Sequence, residues 1–290
     1  VVAAAAFAIG LSVLGAPGIE RFFDQPPSVP PQFLSHAAEK PPQRIVTVAP
    51  SVTELVFALG AGDRIVGVSR YDDHPASVRA LPKVGGFLDP NPEAILALRP
   101  DLVVGVPNAG NRPALDRIAK LGVSVLVVPG NSLADVFHAT RALAPVLGGD
   151  AQAKAENLEH DMKKELEALA RAIAAAEAPR VAWVYGRSPL ILAGPNSFAD
   201  AILTMLNAKN IVTSGPAYPQ YSIEKLVLDR PDVILDASEE HDDGAAPWLR
   251  FSTIPAVKNH RVFALQLDEI LRPGPRLVDG MKKVAKLLHP

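Results

Sequence analysis

From Arg44 onward, short β-branched runs alternate with stretches in which apolar residues recur every three or four positions. The runs include Arg44-Ile-Val-Thr-Val-Ala, Ile65-Val-Gly-Val, Leu102-Val-Val-Gly and Val123 to Val128. Further along they are Arg180-Val-Ala-Trp-Val, Leu190-Ile-Leu, Asn210-Ile-Val, Val233-Ile-Leu and His260-Arg-Val-Phe-Ala-Leu. Continuous apolar runs of this length read as buried strands. Between them the helical spacing predicts helices from Pro50, with Leu55 and Leu59 on the apolar side, and over Ala114–Leu121, Leu133–Leu147, Ser197–Leu206 and Leu277–Leu288. Strands alternating with helices predict an α/β fold with mainly parallel sheets.

One helix is out of scale. Ala151, Ala155, Leu158, Met162, Leu166, Leu169 and Ile173 share a face, Gly148-Gly149-Asp150 stops the preceding helix and caps this one, and Pro179 ends the run. About 28 residues would span roughly 42 Å at the α-helical rise. That is too long for a crossover helix, and it lacks the heptad charge pattern of a coiled-coil partner. It reads as a strut joining two lobes. The expected division is 44–149 for the N-terminal lobe, 150–178 for the interlobe helix and 179–290 for the C-terminal lobe.

A repeat supports two related lobes. Glu93-Ala-Ile-Leu-Ala-Leu-Arg-Pro-Asp101 is followed by Leu-Val-Val, and Glu224-Lys-Leu-Val-Leu-Asp-Arg-Pro-Asp232 by Val-Ile-Leu. Asn91 and Ser222 stand two positions before the glutamates as helix caps, and Pro92 suits a first helical position. Glu93 and Glu224 are therefore expected at exposed helix N-termini, where a carboxylate is favourable to the helix dipole.

Before Arg44 the pattern is different. Residues 1–18 are apolar or small apart from Ser12 and carry no charge, as in a secretory signal peptide or a short membrane anchor. Residues 19–43, with Pro26, Pro27, Pro30, Pro31, Pro41 and Pro42, read as a Pro-rich linker that need not fold, suited to a stalk.

Composition narrows the chemistry. A net charge of −2 offers no basic field for nucleic acid. The absence of cysteine excludes disulfides, thiolate metal sites and a Cys nucleophile. No G-x-S-x-G or P-loop is present, and Gly60-Ala-Gly62 follows a helix instead of a strand, so it is not a dinucleotide fingerprint. We therefore expect no enzyme and no catalytic residue. The seven histidines form no H-x-H or H-E-x-x-H pattern; His241-Asp242-Asp243 reads as solvated loop, and His74 is the one candidate to line a cleft or ligate a chelated metal. No bare-metal site is expected.

Two lobes on a strut leave a cleft, and ligands in such sheets bind where loops leave the carboxyl ends of strands. The loops there supply Ser51, Tyr71, Phe87, Tyr185, Tyr218, Trp248, Asp268 and Arg272. Aromatics on Gly/Pro-rich loops suit a large, flat ligand with polar edges, and packing of the lobe is the competing reading for each.

Several of these segments together carry a resemblance. Ser51-Val-Thr-Glu-Leu, Gly67-Val-Ser-Arg-Tyr71, Pro92-Glu93 through Arg99-Pro-Asp-Leu-Val, Tyr218-Pro-Gln-Tyr-Ser-Ile-Glu224, and Asp268 through Arg272-Pro-Gly-Pro-Arg276 are similar to ABC-transporter substrate-binding proteins with a helical backbone between lobes, and most of all to the cobalamin binders among them. It runs from about Arg44 to the C-terminus. It implies an extracytoplasmic protein, in the periplasm or on the outer face of the inner membrane, that captures a corrinoid and delivers it to a permease and, through that, an ATPase. Haem and ferric-siderophore binders share the scaffold and remain alternatives, as does a membrane-tethered sensor. The resemblance implies ligand contacts at Ser51, Tyr71, Phe87, Tyr218, Asp268 and Arg272, and permease docking through Glu93 and Glu224. It implies a monomer with no resident cofactor, cobalamin or a similar metal chelate being cargo. Phe87, Tyr218 and Glu269 stand where the cobalamin binders carry tryptophans. The chain also lacks the lipid-bearing cysteine of a bacterial lipoprotein, which fits a soluble or peptide-anchored form.

Overall fold

A computed structural model describes residues 20–238, 245–266 and 268–290. The expected signal or anchor over residues 1–18, and the cluster His241-Asp242-Asp243, lie outside the described residues.

The described chain begins with α1 (Glu20–Phe23) and β1 (Gln32–Phe33), followed by β2 (Ile45–Thr47), α2 (Pro50–Ala58), β3 (Ile65–Gly67), α3 (Pro92–Ala97), β4 (Leu102–Gly105), α4 (Arg112–Lys120), β5 (Ser124–Val127) and α5 (Leu133–Leu147). These make the first lobe, whose sheet has the order β1-β5-β4-β2-β3. All its pairings are parallel except β1 on β5. Alternate residues of the central strands serve two cores. Ile45, Leu102, Val104 and Leu126 face the large core, and Val46, Val103, Val125 and Val127 face a second one under α4. Covering on both faces is why these strands are apolar without alternation.

The strut is α6 (Ala151–Ile173), 23 residues long, or about 34 Å. Its buried positions are Ala151, Ala155, Met162, Leu166, Ala170 and Ile173, while Leu158 and Leu169 pack at the margin. The large core runs continuously from the first lobe across α6 into the second. Asp150 stands at the N-cap, but its carboxylate pairs with Lys154 at 2.8 Å and caps no backbone N–H.

The second lobe contains β6 (Arg180–Arg187), β7 (Leu190–Leu192), α7 (Phe198–Met205), β8 (Lys209–Asn210), α8 (Ile223–Asp229), β9 (Val233–Asp236), α9 (Pro255–Lys258), β10 (Val262–Ala264), α10 (Asp268–Leu271) and α11 (Leu277–Leu288). Its sheet order is β10-β9-β6-β7, with β8 also on β6; among the described residues β7 alone runs antiparallel to its neighbour. α11 is fixed to this lobe by Arg261, which donates to the Leu287 and Leu288 carbonyls, and to the strut by Lys282–Glu165 at 2.8 Å.

The linker expectation needs correction. Phe22 and Phe23 are buried, and Phe23 meets Phe137 of α5 edge-on at 5.4 Å. The Lys163 ammonium of α6 lies 5.6 Å from the Phe23 ring and 5.4 Å from the Phe137 ring. The Ser28 amide and hydroxyl both donate to Asp135, at 2.8 and 2.6 Å. The prolines prevent a helix, but the four large apolar groups Phe22, Phe23, Phe33 and Leu34 are enough to seat the segment as a strap on the first lobe.

Candidate functional site

The first wall grows from the loop after β3. Ser69 is buried, and its hydroxyl donates to Asp72 at 2.5 Å. Asp72 is itself 4% exposed, and its other carboxylate oxygen has no partner among the described residues. Burial raises its pKa, partly offset by the Ser69 and Thr53 hydroxyls. This buried hairpin turns Tyr71 outward, 53% exposed. The Arg70 guanidinium stands 5.9 Å from the Tyr71 ring and pairs with Asp89 at 2.7 Å. The Arg70 amide donates to the Gly85 carbonyl at 2.8 Å, which ties this loop to the one before α3. At Gly86 a Cβ would lie 3.2 Å from the Tyr71 ring and 2.3 Å from Asp89 Oδ1, so glycine permits the close approach. Phe87 follows, half-buried against the large core. Its carbonyl accepts from the Asn111 amide at 3.0 Å, and the same amide donates to the Val106 carbonyl at 2.9 Å. Asn111 is fully buried and had no mark in the sequence; a lone Asn before Arg-Pro resembles any helix start.

The second wall is the segment before α8. Gly194 N–H donates to the Ala217 carbonyl at 2.8 Å, Leu192 to Pro219 at 3.2 Å, and Tyr221 to Leu190 at 2.9 Å, which lays the segment along β7. Tyr218 is 54% exposed and meets Tyr185 edge-on at 5.4 Å. Tyr185 in turn lies 6.5 Å from Trp183, which is fully buried. Burial pushes the Tyr185 phenol well above the usual tyrosine range, and Tyr218 adds to it.

The lobes meet between these walls. Arg272 of the second lobe reaches Asp73 of the first at 3.0 Å and Asp268 at 3.2 Å. Burial raises the Asp268 pKa, and its hydrogen bond with Asp73 raises it further. Asp73 is also partly buried, but the hydrogen bonds from Asp268 and Arg272 hold it below the usual carboxylate range. Arg276 grips Glu54 of α2 through two bonds of 2.6 and 2.9 Å, and Lys283 pairs with Glu269. Ser51 lies here too, its Cβ 3.8 Å from where a side chain on Gly274 would begin.

The structure thus gathers Ser51, Asp268 and Arg272 at the lobe junction, Tyr71 and Phe87 on one lobe, and Tyr218 on the other. Trp248, expected on a cleft loop, is instead 3% exposed within the core on the far face of the second sheet, where its indole N–H donates to Asp236 at 2.8 Å. His74 is exposed, and among the described residues no group of three His, Asp or Glu could hold a metal ion. Glu93 and Glu224 are exposed in the first turns of α3 and α8, capped by Asn91 and Ser222 at 3.0 and 3.1 Å. Glu93 also pairs with Arg117 of α4 at 3.2 Å, whereas Glu224 has no ion pair among the described residues.

Residues 45–268 match the sequence model of the periplasmic binding proteins. The chain belongs to this family. It is 30% identical over 259 residues to an uncharacterized ABC transporter substrate-binding lipoprotein of Bacillus subtilis, covering 87% of this chain and 82% of that one. It is 28% identical to the vitamin B12-binding protein of Vibrio parahaemolyticus, covering 88% and 94%. Among solved structures, the periplasmic vitamin B12-binding protein of Vibrio cholerae aligns with a TM-score of 0.73 at 30% identity, covering 86% of this chain and 97% of that one. A periplasmic haem-binding protein of Pseudomonas aeruginosa aligns at 0.78, also at 30% identity, covering 86% and 93%. The family's two mainly parallel sheets joined by one long helix are those described above. Among the described residues no helix is long and apolar enough to cross a membrane.

Proposed function

We propose that this periplasmic binding protein captures a corrinoid between its lobes, outside the inner membrane, and hands it to an ABC permease with its ATPase. In this reading Tyr71, Phe87 and Tyr218 offer their rings to the flat face of the cargo, and Ser51, Asp268 and Arg272 meet its polar edge. Glu93 and Glu224 dock on the permease, one from each lobe, and the protein acts as a monomer without turnover.

The observation that favours a corrinoid is charge matching. Each arginine around the junction is paired with a carboxylate: Arg70 with Asp89, Arg272 with Asp73 and Asp268, Arg276 with Glu54. An anionic cargo would have to displace a partner of Arg272 or Arg276, both about one-quarter exposed, and moving a charge from a partly buried pair is costly. A corrinoid rim of neutral amides can hydrogen-bond to the more accessible pairs, Arg70–Asp89 and Arg272–Asp268, without displacing either member. Haem is the second reading, favoured by Tyr71: a half-exposed phenol is a known type of axial ligand to haem iron. Ferric siderophores have no comparable observation on their side. Parallel titrations with cyanocobalamin, haemin and a ferric siderophore decide among them, and tighter binding of haemin than of cyanocobalamin would overturn the corrinoid reading.

A further inference from the structure

Two residues at the junction are not among the proposed cargo contacts: Glu54 on α2, and Arg276 at the end of the turn between α10 and α11. They are 222 positions apart, yet they interlock. Glu54 is 5% exposed, and its two carboxylate oxygens take separate guanidinium donors of Arg276. A fork of two bonds fixes both distance and angle, unlike a single ion contact. The Glu54 hydrogen bonds raise the Arg276 pKa. The backbone at Gly274 packs beside the same carboxylate, the position of a Cβ there lying 3.5 Å from Glu54 Oε2, in ordinary van der Waals contact. Arg272 adds a second crossing to Asp73. Glu269, 4.0 Å from Arg276 and paired with Lys283 of α11, steadies the arginine from its own lobe.

We propose that Glu54 and Arg276 are positioning residues: their fork sets the separation of the lobes before cargo arrives. The walls bearing Tyr71 and Tyr218 are rooted in opposite lobes, so this separation selects cargo by thickness. The selection part rests on the proposed capture of a flat cargo; the positioning part does not. Glu93 and Glu224 sit on the same two bodies, so the fork also fixes the span they present.

The chain has no cysteine, so two can be introduced for spin labels at exposed sites, Ala97→Cys on one lobe and Leu228→Cys on the other. Pulsed electron resonance on this protein without cargo should give one narrow distance distribution. Glu54→Gln is expected to broaden it. Because removing one partner strands a buried charge, the pair Glu54→Leu with Arg276→Met is the second variant, since an apolar pair of similar size keeps a fold stable. With an unchanged melting temperature, it too should show a broadened or shifted distribution, and cyanocobalamin or haemin, whichever binds the parent, should bind at least tenfold more weakly. A narrow distribution at the parent distance in either folded variant overturns the proposal. A broad distribution in a protein that binds neither probe leaves the positioning role standing and counts against the cargo reading alone.

Discussion

Arg99 and Arg230 adopt the same left-handed backbone, each with φ of 48°. Non-glycine residues rarely take this conformation, and the two stand at matching places in the repeated Glu-to-Asp segment. The match extends to the next turn. Asp101 accepts from the amides of Gln43 and Arg44 at 2.8 and 2.9 Å, and Asp232 accepts from the Arg180 amide at 2.8 Å. The helix that carries the exposed glutamate is thereby pinned to the start of β2 in the first lobe and of β6 in the second. Asp101→Ala and Asp232→Ala should each destabilise by about 0.5–1.5 kcal/mol, the net worth of hydrogen bonds whose donors water can reach, in urea denaturation, with cargo affinity unchanged. Loss of affinity at full stability would contradict the pinning role.

Much of this architecture was legible in sequence because it is local. The helices over Leu133–Leu147 and Leu277–Leu288 and the strand at Leu102–Gly105 follow from periodicity and turn residues alone. The caps at Asn91 and Ser222 were legible for the same reason. The strap was not, since its few large residues find partners more than a hundred positions away, Phe23 on Phe137 among them. Glu54 and Arg276 carry opposite charges, but nothing local joins them. The burial of Trp248 likewise depends on Asp236 and the packing of a remote sheet face.

The strap yields a second prediction. Phe23→Ala should cost about 3–5 kcal/mol, as for other buried phenylalanines. A protein starting at residue 44 should be less stable than one starting at residue 20 by at least that much. Equal melting temperatures for the two would return residues 20–43 to the status of a linker.

The docking carboxylates should prove unequal. Glu93→Ala and Glu224→Ala are expected to impair uptake into permease-bearing vesicles while cargo affinity stays the same. Glu93 starts from an ion pair with Arg117 in which both side chains are about two-thirds exposed, and such a pair is worth about 0.2–1 kcal/mol. Arg117→Ala should therefore strengthen docking up to about fivefold. Weaker docking would make Arg117 itself a contact.

At the junction, acid should act through Asp268. Its raised pKa means that the folded protein holds this proton to higher pH than the unfolded chain does. Ionised Asp268 thus opposes folding near neutrality, and that penalty fades as pH falls through the raised pKa. Asp73, lowered, works the other way: its contribution is present above the unfolded carboxylate pKa and is lost only in stronger acid. Asp268→Asn should melt higher than the parent at pH 7, and the gap should close as the pH approaches 4. A gap that widens in acid would show that Asp268 is stabilising as the anion through Arg272.

Tyr71→Ala and Tyr218→Ala should each weaken cargo binding by about two- to tenfold from lost ring contact, while Trp248→Phe should leave affinity alone and lower stability, because Asp236 loses a buried donor. An affinity loss confined to Tyr71 and seen only with haemin would point to iron ligation.

The most direct test is equilibrium titration of the protein from residue 20 with cyanocobalamin, beside haemin and a ferric siderophore. Cyanocobalamin should bind saturably and one to one, more tightly than either of the other two, and more weakly after Tyr218→Ala. Failure of all three to bind would contradict a metal-chelate carrier, and preference for haemin or the siderophore would contradict the corrinoid.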